Sequence, residues 1–139
     1  MKRYLIFAIL CPLIGGFLLL LVSTYMSGYL NRPDAADIEK LLVVFVKTLQ
    51  FSYLFGILPT LMIAAVDDIL FHVRRLHWVL RLLIVGVIGF FAAELTYGSR
   101  GPDSGLTQFI LYGLVGFVPS VIASFLSHRV ETPAQPATA

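Results

Sequence analysis

The chain has 139 residues, of which 58% are hydrophobic and 13% are charged, and its formal net charge is +2. A soluble domain with this balance would expose a large contiguous apolar surface, so the composition excludes a soluble globular protein. The net charge is too small to indicate a polyanionic partner, and we expect no nucleic-acid binding.

Four long apolar segments occupy most of the chain, at about residues 4–26, 41–66, 78–97 and 106–127. Each can cross a hydrocarbon core of ~30 Å at ~1.5 Å per helical residue. The segments are continuously apolar and do not alternate, which favours helices over a barrel. We predict an all-α, polytopic membrane protein with one four-helix domain over residues 1–131 in the lipid bilayer. The polar, Pro-rich residues 132–139 are predicted to form a disordered tail.

The second helix is predicted to begin well before its apolar segment. Pro33 interrupts the chain, Asp34 is a typical N-cap residue, and Asp37 places a negative charge in the first turn. A helix from there to Val66 would be about 50 Å long. We therefore expect it to tilt strongly or to project beyond the membrane.

The positive charges divide unequally between the two sides that the spans define. Six lie on the side that holds both chain ends and three lie on the other, which predicts cytoplasmic termini under the positive-inside rule. The six are Lys2, Arg3, Arg74, Arg75, Arg81 and Arg129, and the three are Arg32, Lys40 and Arg100.

The second and fourth spans share a motif at an offset of 60 residues, Gly56-Ile-Leu-Pro59-Thr60 and Gly116-Phe-Val-Pro119-Ser120. Two parallel duplicated hairpins would explain it, and chance within a small apolar alphabet is the alternative. In both cases small residues at every fourth position predict helix-packing faces, and each Pro predicts a kink. The packing residues are Gly56, Pro59, Thr60, Ala64, Gly116, Pro119, Ser120 and Ser124.

A few polar residues within the spans are candidates for a function in the membrane. Lys47 and Glu94 both fall in the outer third, where they could pair, and Gln50 and Gln108 are neutral candidates nearby. Ionisable groups at membrane depth indicate an ion or proton pathway, whereas near the interface they extend their charges to the surface. Both interpretations stay open at this point.

The most polar segment follows the second span and predicts a cytoplasmic collar, in which the acids pair with neighbouring arginines. Its residues are Asp67, Asp68, His72, Arg74, Arg75 and His77. A metal site of these acids with His72, His77 and His128 is the alternative, although the spacing matches no known metal signature. We find no phosphate loop and no catalytic triad, and we expect no cofactor, no metal and no catalytic residues.

The chain as a whole resembles small four-helix bacterial inner-membrane proteins of the domain-of-unknown-function type. The segments that carry the resemblance are Tyr53–Pro59, Ala64–His72 and Ser99–Asp103. The resemblance implies a fold and an inner-membrane location but no activity. Small multidrug transporters also have four helices, but their essential glutamate lies in the first span, which has no acid here.

Three functions fit these observations, in descending order of support. The first is a non-enzymatic packing or accessory subunit of a homo-oligomer or a larger membrane complex. The second is a small oligomeric transporter or channel that uses Glu94 and Lys47. The third is an enzyme that acts on lipid headgroups at Asp67, Asp68 and His72.

Overall fold

The computed structural model describes residues 2–28, 34–73, 76–98 and 105–131, and all regular structure within them is helical. The helices are α1 (Lys2–Met26), α2 (Ala35–His72), α3 (Trp78–Tyr97) and α4 (Leu106–Glu131). All four are long and apolar enough to cross a membrane. The prediction of an all-α protein with four membrane-spanning helices is confirmed. The tail predicted at residues 132–139 lies outside the described residues.

Helix α2 is much longer than the membrane is thick, and its first turn explains where it begins. Asp34 caps the helix, since its Oδ1 accepts a hydrogen bond from the Ala35 N–H at 3.0 Å, and Asp37 follows in the first turn. The helix runs for 38 residues, or about 57 Å, against a hydrocarbon core of ~30 Å. The predicted cap and the predicted excess length are both present.

The four helices form a ring in which one side is poorly closed. Helix α1 packs on α2 and on α4, and α3 packs closely on α4. Helices α2 and α3 complete the ring but touch much less, while α1 and α3 lie diagonally apart. This unequal packing leaves an opening between α2 and α3.

Small residues lie at the closest helix contacts. A Cβ at Gly116 would overlap the carbonyl oxygen of Gly89, so α3 and α4 approach backbone to backbone there. Between α1 and α2, a Cβ at Gly16 would overlap the Ser52 side chain, whereas a Cβ at Gly56 would meet Pro12 in ordinary contact at 3.5 Å. Close approach of this kind is how membrane helices gain packing energy without a hydrophobic driving force.

The repeated motif coincides with a repeated burial pattern. The buried residues of α2 are Thr60, Ile63, Ala64 and Asp67, and residues 60 positions later in α4 are also buried, namely Ser120, Ala123, Ser124 and Ser127. The two helices therefore present equivalent faces to the interior. The duplication itself stays a prediction.

Candidate functional site

One end of the bundle is closed by a buried group of charged and hydroxyl side chains from all four helices. We call it the charge cluster, and this end of the bundle the charged end. Its members are Arg3 (α1), Asp67 and Asp68 (α2), Arg81 (α3), and Ser124 and Ser127 (α4). Asp67 is fully buried at its centre, and Arg3 and Arg81 are 1% and 4% exposed.

Asp67 receives two arginines and two serines. Its Oδ1 lies 3.1 Å from Nε of Arg81 and accepts a hydrogen bond from Oγ of Ser124 at 2.5 Å. Its Oδ2 lies 3.4 Å from Nε of Arg3 and 3.4 Å from Oγ of Ser127. A buried carboxylate is stable when such partners replace the water that it has lost.

The remaining contacts balance the two guanidinium charges. Nη1 of Arg3 lies 2.9 Å from Oδ1 of Asp68, and Nη2 of Arg81 donates to the Ser124 carbonyl at 3.4 Å. The ring of Phe71 lies beneath both cations, with its centroid 4.3 Å from Arg3 and 5.2 Å from Arg81. Two acids thus face two arginines, with an aromatic face that favours cations. The cluster ties the four helices together and leaves no uncompensated charge in this set.

Asp67 was predicted to lie in a cytoplasmic collar and to pair with neighbouring arginines. In the structure it lies inside the bundle and pairs with Arg3 and Arg81. The predicted partners Arg74 and Arg75 lie outside the described residues. Asp68 and His72 do lie at the rim, where Nδ1 of His72 is 4.0 Å from Oδ1 of Asp68. His77 caps α3, because its Nδ1 accepts from the Val79 N–H at 3.4 Å. In residues 2–28, 34–73, 76–98 and 105–131, no three His, Cys, Asp or Glu side chains are placed to hold a metal.

Sequence reasoning missed Arg3 and Arg81 as members of this site, because it uses them only as positive charges that orient the protein in the membrane. A signal was available, because an acid directly after an apolar span requires a partner, and both arginines lie at the same end of their own spans. Which face each arginine occupies depends on helix rotation, which the sequence does not specify.

The structure does not bring Lys47 and Glu94 together. Lys47 is exposed on α2, and no ion pair joins it to Glu94 in the described part of the chain. Glu94 is 9% exposed, and its Oε1 has no hydrogen-bond partner among the described residues. Its other oxygen lies against Gly98, where a Cβ would overlap it. Gln108 is half-buried near the start of α4, and Gln50 is exposed on α2.

The half of α2 distant from the charge cluster exposes an apolar face, which we call the α2 stripe. Residues four apart on a helix lie on nearly the same face, which turns slowly around the helix axis. From Ile38 to Leu54, every fourth residue of α2 is exposed. The stripe consists of Ile38, Leu42, Val46, Gln50 and Leu54, whose four apolar members are 51–69% exposed.

The first part of the α2 stripe extends past the end of α3. Thr48 and Ser52 line the same cleft as Tyr97, the last residue of α3. The residues from Ala35 to Lys47 therefore continue beyond that end by up to about 20 Å along the helix axis. Ile38, Leu42 and Val46 are exposed there, at a height where α3 no longer stands beside α2.

The weak contact between α2 and α3 opens a cleft at the end of the bundle opposite the charge cluster. We call it the open cleft; its volume is about 560 Å³. Six hydroxyl side chains face it together with aliphatic and aromatic groups, and none of its lining residues is charged. The hydroxyl residues are Ser23, Thr48, Ser52, Thr96, Tyr97 and Tyr112.

A second, much smaller cavity continues from the open cleft toward the middle of the bundle. Its volume is about 80 Å³, and it shares Gly16, Leu19, Ser52, Thr96 and Tyr97 with the cleft. Glycines and prolines from α1, α2 and α4 line its deeper part. Cys11 lies at this depth, with its Sγ 3.5 Å from the Pro119 carbonyl.

These features define a class: an all-helical protein whose four helices are long and apolar enough to cross a membrane, tied at one end by buried ions and opened at the other by a cleft between α2 and α3. Residues 1–132 match the family of unknown function DUF5413, and the chain belongs to that family. No curated protein and no solved structure matches the chain.

Proposed function

We propose that this protein is a non-enzymatic packing or accessory subunit that works by associating with another chain in the membrane. The observation that carries the proposal is the α2 stripe. Lipid covers exposed apolar side chains only within the hydrocarbon layer. Ile38 precedes the apolar span at about residues 41–66 and is 59% exposed, and Leu42 and Val46 continue the same exposed face into that span, so a partner helix would cover a continuous apolar face.

Gln50 supports the same proposal. Its amide lies on the α2 stripe, exposed, and makes no hydrogen bond in the described part of the chain. Polar side chains at such positions stabilise helix pairs by hydrogen bonding across the interface, typically by about 0.6–2 kcal/mol. We propose that the partner presents a transmembrane helix with a polar group that meets Gln50. The partner is either a second copy of this chain or another membrane protein.

Location and orientation form part of the proposal. The resemblance to bacterial inner-membrane proteins supports an inner-membrane location, and the distribution of positive charges supports cytoplasmic termini. The charged end of the bundle, which Arg3 reaches from α1, would then face the cytoplasm. The α2 stripe would project on the opposite side.

The two other functions receive less support from the geometry. A transport pathway through a Lys47–Glu94 pair would need contact that these residues do not make. A lipid-headgroup enzyme at Asp67 would need an accessible carboxylate, whereas Asp67 is fully buried and held by Arg3 and Arg81. Glu94 keeps the transport alternative testable, because its Oε1 is buried without a hydrogen bond in the described chain.

The proposal is tested by mass spectrometry of the protein purified in mild detergent after light cross-linking in its native membrane. We expect stoichiometric recovery of a second copy or of one other membrane protein. Leu42→Glu should abolish that recovery, because it places a charge within the α2 stripe. Ala36→Glu is the matched control, since it adds the same charge at an exposed position on another face of the same helix. Recovery of the wild-type chain as a monomer alone would contradict the proposal.

A further inference from the structure

The open cleft has the dimensions and lining of a binding site for a small amphiphile. Its volume of about 560 Å³ lies within the range of roughly 300–1,000 Å³ that is usual for small-molecule pockets. It lies on the other side of α2 from the α2 stripe, and it is reached through the gap between α2 and α3. A ligand could therefore enter sideways from the bilayer.

The chemistry of the lining indicates an uncharged head. No Lys, Arg, His, Asp or Glu lines the cleft, so nothing there would compensate a phosphate or a carboxylate. A phosphate or carboxylate head is normally held by Arg or Lys, which form the strong charge-assisted hydrogen bonds.

The hydroxyl side chains show which neutral groups the cleft can hold. Thr48 and Thr96 donate to the carbonyls of Val44 and Ala92 in their own helices, at 2.9 and 2.7 Å, so their oxygens remain available as acceptors. The hydroxyls of Tyr97 and Tyr112 make no hydrogen bond within the described residues and can both donate and accept. A hydroxyl head, which donates and accepts as well, matches this set.

The rest of the site accommodates a chain. Phe51, Phe55, Leu19 and Leu20 form the apolar part of the open cleft. The narrow cavity that continues from it is about 80 Å³ in volume and is lined mainly by small residues, so it admits only a slender group. A cavity of this volume accepts the end of an unbranched hydrocarbon chain more readily than a ring system or a branched chain.

We infer that the open cleft binds a neutral, single-chain amphiphile whose hydroxyl head bonds to Tyr97 and Tyr112 and whose chain lies against α1 and α2. This site is separate from the partner contact at the α2 stripe. The protein would bind this amphiphile in addition to packing against a partner chain. An experiment can refute the amphiphile site without refuting the partner contact, and the reverse.

The test uses the full chain reconstituted in vesicles of phosphatidylethanolamine and phosphatidylglycerol, with two photoreactive probes. The first is a monoacylglycerol with a diazirine in its chain, and the second is the fatty acid with the same chain. We expect the monoacylglycerol to label peptides that line the cleft, in competition with unlabelled monoacylglycerol. The fatty acid, charged at neutral pH, should label them several-fold less.

Two sets of variants separate binding from contact with surrounding lipid. Thr96→Trp fills the junction of the two cavities and should abolish the labelling that unlabelled monoacylglycerol competes away. Leu95→Trp is the control, because it places the same ring on a neighbouring residue that is 90% exposed, and it should leave that labelling unchanged. The double variant Tyr97→Phe/Tyr112→Phe keeps both rings and removes two hydrogen bonds. It should weaken monoacylglycerol binding roughly 5-fold to 30-fold, while Tyr25→Phe outside the cleft should have no effect.

Several results would overturn the inference. Equal labelling of Thr96→Trp and Leu95→Trp would show that the probe reports general lipid contact. Equal labelling by the two probes would show that the head is not selected for neutrality. Cross-linking of a second copy through cleft residues, in place of the lipid probe, would show that a protein helix fills the cleft. If Thr96→Trp fails to fold, the tyrosine variants alone decide the question.

Discussion

Replacing Asp67 with asparagine removes the negative charge at the centre of the charge cluster. Two guanidinium groups, on Arg3 and Arg81, lie 3.4 and 3.1 Å from its carboxylate, and all three residues are buried. The asparagine side chain would still accept from Ser124 but would leave the arginines with less compensation. Removing one partner of a buried ion pair usually costs about 3–5 kcal/mol, and we expect a loss of that size in the free energy of unfolding.

The assay is reversible unfolding in mild detergent micelles, followed by far-ultraviolet circular dichroism or by steric trapping. Asp68→Asn is the matched control, because Asp68 also meets Arg3 but its side chain is 38% exposed. Water partly screens the carboxylate of that pair, so its removal should cost less than the removal of the Asp67 charge, about 1–2 kcal/mol. The triple variant Arg3→Met/Asp67→Leu/Arg81→Met tests the mechanism, since replacing a whole buried ionic set with apolar residues is often neutral or stabilising.

A loss of under about 1 kcal/mol in Asp67→Asn would refute the assignment of Asp67 as the charge that joins the helices. Failure of the triple variant to recover most of the loss would also count against the reasoning. It would show that the ions specify the fold and that apolar packing at the same positions cannot replace them.

Three further predictions follow from the packing and the isolated polar groups. Gly116→Ala should destabilise the protein by about 1–3 kcal/mol, because the added Cβ meets the Gly89 carbonyl. Gly105→Ala is the control and should change stability little, because a Cβ at Gly105 has nothing within 4 Å. Equal effects of the two variants in thermal unfolding would argue against the close contact of α3 and α4. In a double-mutant cycle, Lys47→Met and Glu94→Gln should be additive within about 0.5 kcal/mol, since the two residues make no ion pair, and a larger coupling energy would reveal a contact. Glu94→Gln alone should keep or raise the free energy of unfolding, because the Glu94 carboxylate is buried with Oε1 lacking a hydrogen bond in the described chain. Vesicles that contain the wild type or this variant should both show the proton and cation flux of vesicles without protein. Flux that the wild type supports and the variant does not would restore the transport alternative.

The helices were predictable from the sequence, because a continuous apolar run of membrane-spanning length allows few other structures. The start of α2 was predictable for a local reason, since Asp34 and Asp37 are suited to the N-terminus of a helix. The packing residues Thr60, Ala64, Ser120 and Ser124 were also recognisable, because small residues at every fourth position mark one helix face.

The charge cluster was harder to predict, because it depends on how four helices rotate and on which ends meet. Asp67 and Arg74 are near neighbours in sequence, whereas Asp67 and Arg3 meet only after α1 has packed against α2. The sequence also does not fix the height of each helix. Lys47 lies within an apolar segment, but it belongs to the part of α2 that extends past the end of α3, and the structure does not pair it with Glu94.

The proposal that the α2 stripe binds a partner chain is tested most directly by a photoreactive amino acid at Val46, which is 69% exposed, irradiated in the native membrane. The control carries the same group at Leu83, which is 54% exposed on α3. We predict a protein cross-link of defined mass from position 46, either to a second copy or to one other membrane protein, and lipid adducts alone from position 83. Lipid adducts alone from both positions would contradict the proposal.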